Sequence, residues 1–186
     1  MSKTYNLTTP LTEEQTRELK AGDIVYLSGY IFTARDAAHK KLVDLIDAGE
    51  ELPFDLEGSV IYFVGPTPPK PGDPIGSAGP TTSYRMDSYS PTMLKNGSKG
   101  MIGKWKRNQD VKDACKEYGG IYFGATGGAG ALLGKQIKSA EIVAYPELGP
   151  EAVRKLEIDK FPVTVINDTF GNDLYQIGRS QYEIKD

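Results

Sequence analysis

Cysteine is nearly absent from this chain: Cys115 is the only one in 186 residues. One thiol cannot close an internal disulfide, and alone it cannot hold a metal cluster. A reducing, cytoplasmic setting is the default expectation. Histidine is equally scarce, with His39 alone. No Ser-His-Asp arrangement with a recognisable local context is present, and no metal-ligand cluster. Long apolar runs are missing too, so no segment reads as a membrane span. The start, Met1-Ser2-Lys3-Thr4-Tyr5, is polar and does not read as a signal peptide. Charge of one sign is also lacking: 22 Lys and Arg stand against 25 Asp and Glu, a formal net charge of −3, without a basic block. Neither nucleic acid nor a membrane is an expected partner. Internal repeats and low-complexity tails are absent.

What is there is a chain long enough to bury a proper core, read as one domain over residues 1–186. Glycine (21) and tyrosine (11) are plentiful. Thr12-Glu13-Glu14-Gln15 is a capping box that opens a helix to about Lys20, closed at Ala21-Gly22. Asp23 to Thr33 reads as a strand with Gly29 as a bulge, and Ala37 to Ile46 as a helix stopped by Ala48-Gly49. Gly58 to Val64 is a strand buried on both faces, and Gly65 to Pro80 an irregular Pro- and Gly-rich loop. A short helix through Met93-Leu94-Lys95 and a strand at Gly100–Lys104 follow. Asn108 caps a helix from Gln109 to Tyr118, on which Cys115 is a packed small residue. Ile121-Tyr122-Phe123 is a strand, leading into a glycine-rich turn from Gly124 to Ala131. That turn lacks the lysine ending of a phosphate loop. Strands are expected at Glu141–Tyr145, Ala152–Ile158, Phe161–Ile166 and Leu174-Tyr175, with a turn cluster at Asn167–Asp173. The sum is an α/β or α+β fold with a mixed sheet and flanking helices.

The stretch Gly79-Pro80-Thr81-Thr82-Ser83-Tyr84-Arg85-Met86-Asp87 has no hydrophobic periodicity to explain it as core. A helix starting near Thr81 would put its first N–H groups, a hydroxyl and Arg85 on one side, which is an anion site in outline. The plainer alternative makes Thr81 or Thr82 an N-cap and Arg85 a solvated residue. Arg35 and Asp36 stand where a strand turns into a helix, and ligands gather at such places. A cation at a helix N-terminus opposes the dipole, so Arg35 reads as an anion ligand or as the partner of Asp36 or another carboxylate. His39, one turn on, reads as a packing residue before a general base. Lys104 is a third cation at an element end. Convergence of Arg35, Arg85 and Lys104 on one pocket would suit a dicarboxylate.

Three segments carry a resemblance: Thr33-Ala34-Arg35-Asp36-Ala37-Ala38-His39-Lys40, Gly79-Pro80-Thr81-Thr82 continuing to Arg85-Met86-Asp87, and Lys99-Gly100-Met101-Ile102-Gly103-Lys104. With Gly119-Gly120-Ile121-Tyr122 and Gly127-Gly128, they resemble the β subunit of the class I (iron–sulfur) fumarate hydratase and L-tartrate dehydratase family. The resemblance runs from about Leu7 to Tyr175. It implies a swivelling β/β/α domain that closes over a separate domain or α subunit. That partner would hold a [4Fe-4S] cluster through three cysteines that this chain lacks. It implies an α2β2 assembly in which Arg35 and Arg85 grip substrate carboxylates and Lys104 is a further substrate-contacting cation. Thr82 would line the same site, and Thr81 would take part in proton transfer with an acidic residue from the α subunit. His39 would support Arg35 or the subunit interface, and Asp36 would be a supporting residue. The family motif usually continues Gly-Lys-Gly, whereas Trp105 follows Lys104 here.

The expected reaction is reversible hydration of fumarate to (S)-malate. The alternatives are dehydration of L-tartrate, or a non-catalytic dicarboxylate-binding module.

Overall fold

The computed structural model describes residues 2–125 and 133–182; the glycine-rich positions Thr126 to Ala131 lie outside them. Three successive strand–helix–strand units build the middle of the chain. Strand β2 (Ile24–Thr33) is followed by helix α2 (Asp36–Asp47), then β3 (Val60–Tyr62), α3 (Ser90–Lys95), β4 (Gly100–Gly103), α4 (Gln109–Tyr118) and β5 (Ile121–Ala125). Each adjacent pair in the run β2–β3–β4–β5 is parallel. Such connections need a crossover, and α2, α3 and α4 supply it.

A long strand, β7 (Val153–Asn167), pairs antiparallel with both β5 and β2, so the ring of pairings β2–β3–β4–β5–β7 closes on itself. Two short elements sit outside the ring: β1 (Thr4–Thr8), parallel to the first half of β2, and β6 (Ile137–Ala144), antiparallel to the first half of β7. The α/β expectation with a mixed sheet holds.

Closure explains why these strands are apolar on both faces. On β3, Val60 and Tyr62 point to the core inside the ring while Ile61, and Phe63 just past the strand, point to the core under the helices. On β5, Ile121 and Phe123 face inward and Tyr122 outward. Period-2 alternation serves two cores rather than one core and solvent.

The capping box is as expected, with Gln15 N–H donating to Thr12 Oγ1 (3.2 Å) and Thr12 N–H to Gln15 Oε1 (3.0 Å). Helix α1 (Glu13–Glu18) ends two residues before the expected Lys20. A bulge lies next to Gly29, but its extra residue is on the partner strand and not at Gly29: between Leu27 and Gly29, two residues of β7, Asp159 and Lys160, oppose Ser28 alone. Lys160 takes φ +50° there and donates its N–H to Ser28 Oγ at 3.0 Å.

Two expectations fail, and one strand is unforeseen. The separate strands at Ala152–Ile158 and Phe161–Ile166 are one strand, β7, bent at this bulge. Strand β1 was not expected at all. Leu174-Tyr175 does not form a strand but opens helix α5 (Leu174–Tyr182), capped by Asp173, whose Oδ1 accepts from Tyr175 N–H at 2.9 Å.

Candidate functional site

The parallel run places the C-terminal ends of β2, β3 and β4 side by side. In open α/β sheets ligands bind off those ends. Arg35 and Asp36 follow β2, Lys104 follows β4, and the loop from Gly65 to Pro80 returns the chain to the end of β3. That return is fixed by Thr81 N–H donating to the Phe63 carbonyl at 2.7 Å. Thr82 then bridges Lys104 in parallel, and Ser83 N–H donates to the Lys104 carbonyl at 3.0 Å.

This geometry overturns the helix start at Thr81, while Thr82 does stand at the cap of a shorter turn and Arg85 is exposed, as in the plainer alternative. No α-helix starts at Thr81; a single 3-10 turn spans Ser83–Met86, and Thr82 at its cap makes no side-chain cap bond. The N–H groups of Thr81 and Ser83 extend the sheet instead of facing a ligand. Sheet continuation has taken the donors that a helix N-terminus would have left open. The two threonine hydroxyls and the Lys104 ammonium have no hydrogen bond or ion pair among the described residues.

Arg35 and Arg85 do converge, and Asp36 joins them. Asp36 Oδ1 lies 3.8 Å from Arg35 Nε, and its Oδ2 lies 3.6 Å from Arg85 Nη1. Glu151, arriving with the turn segment Pro146–Glu151 between β6 and β7, is 3.7 Å from Arg35 Nε. Arg35 Nε and Asp36 Oδ1 are buried, yet neither has a hydrogen bond. Each such atom in a folded chain calls for an explanation, of which strain, a catalytic role, water or an ion are the usual ones. Arg35 also packs on Gly65, where an added Cβ would sit 3.1 Å from Nη1. Gly65 and Lys104 line one cavity of about 400 Å³ with Thr67, Ser77, Gly79, Pro80 and Ala125. A larger cavity of about 710 Å³, lined by Lys70, Asp73, Ile75 and Lys138 among others, contains none of the candidate residues. Size therefore does not locate the chemistry here.

His39 is packed behind Arg35. It is 1% exposed, and its Nδ1 lies 2.9 Å from the Arg35 carbonyl, which requires the Nδ1–H form. Its ring meets Phe63 edge-on and stacks near Tyr89. Burial holds its pKa down to about 4, the Arg35 carbonyl opposing that shift and Arg107 adding to it. A neutral, inaccessible imidazole is a scaffold.

Sequence reasoning missed Arg107, which is buried beneath the 3-10 turn. Its Nε donates to Asp87 Oδ1 at 2.6 Å and its Nη2 to Ser90 Oγ at 2.6 Å. Its guanidinium lies over the rings of Phe63 (5.1 Å) and Tyr122 (4.8 Å). The available signal was Asp87, an acid at the end of the singled-out stretch with no partner nearby in sequence. Ser83 and Tyr122, hydrogen-bonded at 2.8 Å, were missed as well. They explain Gly103, where an added Cβ would fall 1.9 Å from Ser83 Oγ.

The chain's own residues do not fit an iron–sulfur cluster. Cys115 is fully buried on α4 and burial pushes its thiol up to about 12, which withholds the thiolate that iron needs. The described residues hold no group of three His, Cys, Asp or Glu placed to bind a metal. No described helix is long and apolar enough to cross a membrane.

A family model described as the fumarase C-terminus matches residues 1–178. The chain is 49% identical over 152 residues to "Fumarate hydratase class I, anaerobic" of Escherichia coli K12, covering 81% of this chain and 28% of that protein. It is 42% identical over 164 residues to "Fumarate hydratase 2" of Leishmania major, covering 87% of this chain and 29% of that protein. It is 40% identical over 190 residues to "Putative L(+)-tartrate dehydratase subunit beta" of Methanocaldococcus jannaschii, covering 98% of this chain and 96% of that protein. The chain thus spans less than a third of the named fumarate hydratases and nearly the whole of the subunit-sized relative. On this match, running from the first strand into the last helix, the chain belongs to the fumarase C-terminus family, whose matched relatives carry the names of hydro-lyases.

Proposed function

We propose that this chain is the β subunit of a two-subunit hydro-lyase that reversibly hydrates fumarate to (S)-malate. The observation that carries the reading is the pair Arg35 and Arg85 drawn onto Asp36, beside Thr81, Thr82 and Lys104 at the ends of adjacent parallel strands. Fumarate presents two carboxylates flanking a double bond. A guanidinium fork suits one carboxylate and an ammonium the other. Held between them, the double bond would lie near the threonine hydroxyls. Thr81 would carry the proton exchanged at carbon, and Thr82 would line the same wall. A threonine hydroxyl is a weak base unless a neighbour takes its proton. Thr81 has no such neighbour among the described residues, so the base comes from a partner chain. The same partner, an α subunit in an α2β2 assembly, would hold the [4Fe-4S] cluster for which this chain has no ligands.

The test is co-production with a cluster-bearing partner, anaerobic cluster reconstitution, and an absorbance assay on fumarate. Activity requires both chains, and Thr81→Ala lowers kcat by about 100-fold or more, the scale of a lost proton-transfer group. Full turnover by the metal-free chain alone would overturn the reading.

L-tartrate is the second substrate reading, and one finding favours it: the relative matched along nearly its whole length bears a tartrate dehydratase name. Competition between the two substrates at equal concentration, scored as the ratio of kcat/KM, decides between them.

A further inference from the structure

Tyr122 stands in the middle of β5 with its ring on the helix side of the sheet, fully buried under the Arg107 guanidinium. Its hydroxyl has two partners. It donates to the Trp105 carbonyl at 2.6 Å and lies 2.8 Å from Ser83 Oγ. A carbonyl can only accept, so the phenol proton belongs to Trp105, and Ser83 is the donor to the phenol oxygen. One oxygen atom therefore ties two separate segments together. Ser83 directly follows Thr81-Thr82, and Trp105 directly follows Lys104.

Trp105 needs holding. Its φ is +68°, a left-handed backbone that bulky residues rarely adopt, and its indole is 64% exposed, so packing of the side chain does not fix it. The peptide is fixed instead. Tyr122 takes its carbonyl in a short hydrogen bond. Gly103, on the other side of Lys104, clears the space that Ser83 Oγ occupies. Lys104 is thus bracketed by a peptide that Tyr122 holds and a glycine packed against Ser83.

We propose that Tyr122 is a positioning residue for Lys104: its hydroxyl fixes the Trp105 peptide and, through Ser83, sets the spacing between the Lys104 ammonium and the Thr81 and Thr82 hydroxyls. The functional part of this inference rests on the dicarboxylate reading above; the clamp itself does not.

Trp105 is the only tryptophan in the chain, so indole emission reports this one segment. In the ligand-free full chain, Tyr122→Phe lowers the fluorescence anisotropy of Trp105. Ser83→Ala shifts it the same way by less. Ser98→Ala, which removes a buried hydroxyl bonded to the Ser59 carbonyl at the opposite end of β4, leaves it unchanged. Unchanged anisotropy in both Tyr122→Phe and Ser83→Ala overturns the clamp. In the assembled two-chain enzyme, Tyr122→Phe lowers kcat/KM about tenfold or more, since misplacement on the ångström scale costs up to about 100-fold. The double variant Tyr122→Phe with Lys104→Met falls no further than Lys104→Met alone, because the phenol acts through the lysine. Additive losses in that cycle overturn the positioning role. Wild-type assembly without hydro-lyase activity would instead sink the functional reading, and the anisotropy series would still decide the clamp.

Discussion

Acid should unfold this protein through His39. The imidazole is buried and neutral, with a folded pKa of about 4 against 6.5 for the free side chain. The unfolded chain therefore binds a proton between those values while the folded chain does not. Stability rises with pH across that window; it is complete above about pH 6.5 and is lost as pH falls toward 4. Linkage with these two values gives a loss of about 2 kcal/mol at pH 5 and about 3 kcal/mol at pH 4. Burial is the main cause of the shift; of the charged groups nearby, Arg107 opposes protonation and Asp36 favours it. The perturbation is His39→Leu. It removes the titrating group and leaves the Arg35 carbonyl its helical bond from the residue 39 N–H, at 2.9 Å. At neutral pH the variant gives up a hydrogen bond, about 1 kcal/mol. Urea melts of both proteins from pH 7.5 to 4 provide the assay. Carboxylates titrate in both and cancel in the difference. The wild-type advantage shrinks and reverses below about pH 5.5, following the same linkage. A wild-type-minus-variant difference that stays flat would show that His39 is not held neutral, and the scaffold role would fall with it.

Arg107→Met leaves Asp87 with the Asn108 N–H (3.1 Å) as its remaining partner and should cost about 3–5 kcal/mol in thermal or urea unfolding. Arg107→Lys should recover less than half of that, since an ammonium cannot span Asp87 and Ser90 while lying over two rings. Gly103→Ala should destabilise by about 1–3 kcal/mol, because its Cβ lands on Ser83 Oγ. Adding Ser83→Ala should restore part of that loss but not all, since Phe63 Cδ2 stands 2.8 Å from the same point. Full rescue, or none, would contradict the packing described.

Local signals were legible where the chain's own chemistry decided the outcome. The Thr12 box and the Asn108 cap are settled by neighbours within a few residues, and each appears where expected. The failures share a cause. Thr81 looked like a helix start because Gly, Pro and hydroxyls precede it, but Lys104, distant in sequence, offers a strand edge that takes its backbone groups. Leu174-Tyr175 looked like a strand because the pair is apolar. Asp173 just before it was the cue for a helix, and the Ile177 N–H bonded to the Asp173 carbonyl completes the turn. In β7, Asp159-Lys160 looked like a break between strands, yet the bulge lets the pairing with β2 run through it.

The site was legible as residue types and not as an arrangement. Arg35 at a helix N-terminus reads as an anion ligand or as the partner of a carboxylate, and the structure sets Asp36 and Glu151 beside it, the second from a turn more than a hundred residues away. Arg85 then shares Asp36. Two guanidiniums are matched by two carboxylates, which leaves Lys104 as the uncompensated cation of the candidate set among the described residues. A dianion approaching this face meets a nearly balanced charge, so long-range attraction contributes little. What the face offers instead is geometry: buried Arg35 Nε and Asp36 Oδ1 still lack hydrogen bonds, and an incoming carboxylate or water could satisfy the first. Selectivity would then come from the fixed separation between Arg35, Arg85 and Lys104. That separation is set by strand order and by the Ser83–Tyr122 contact, neither of which any single stretch of the sequence encodes.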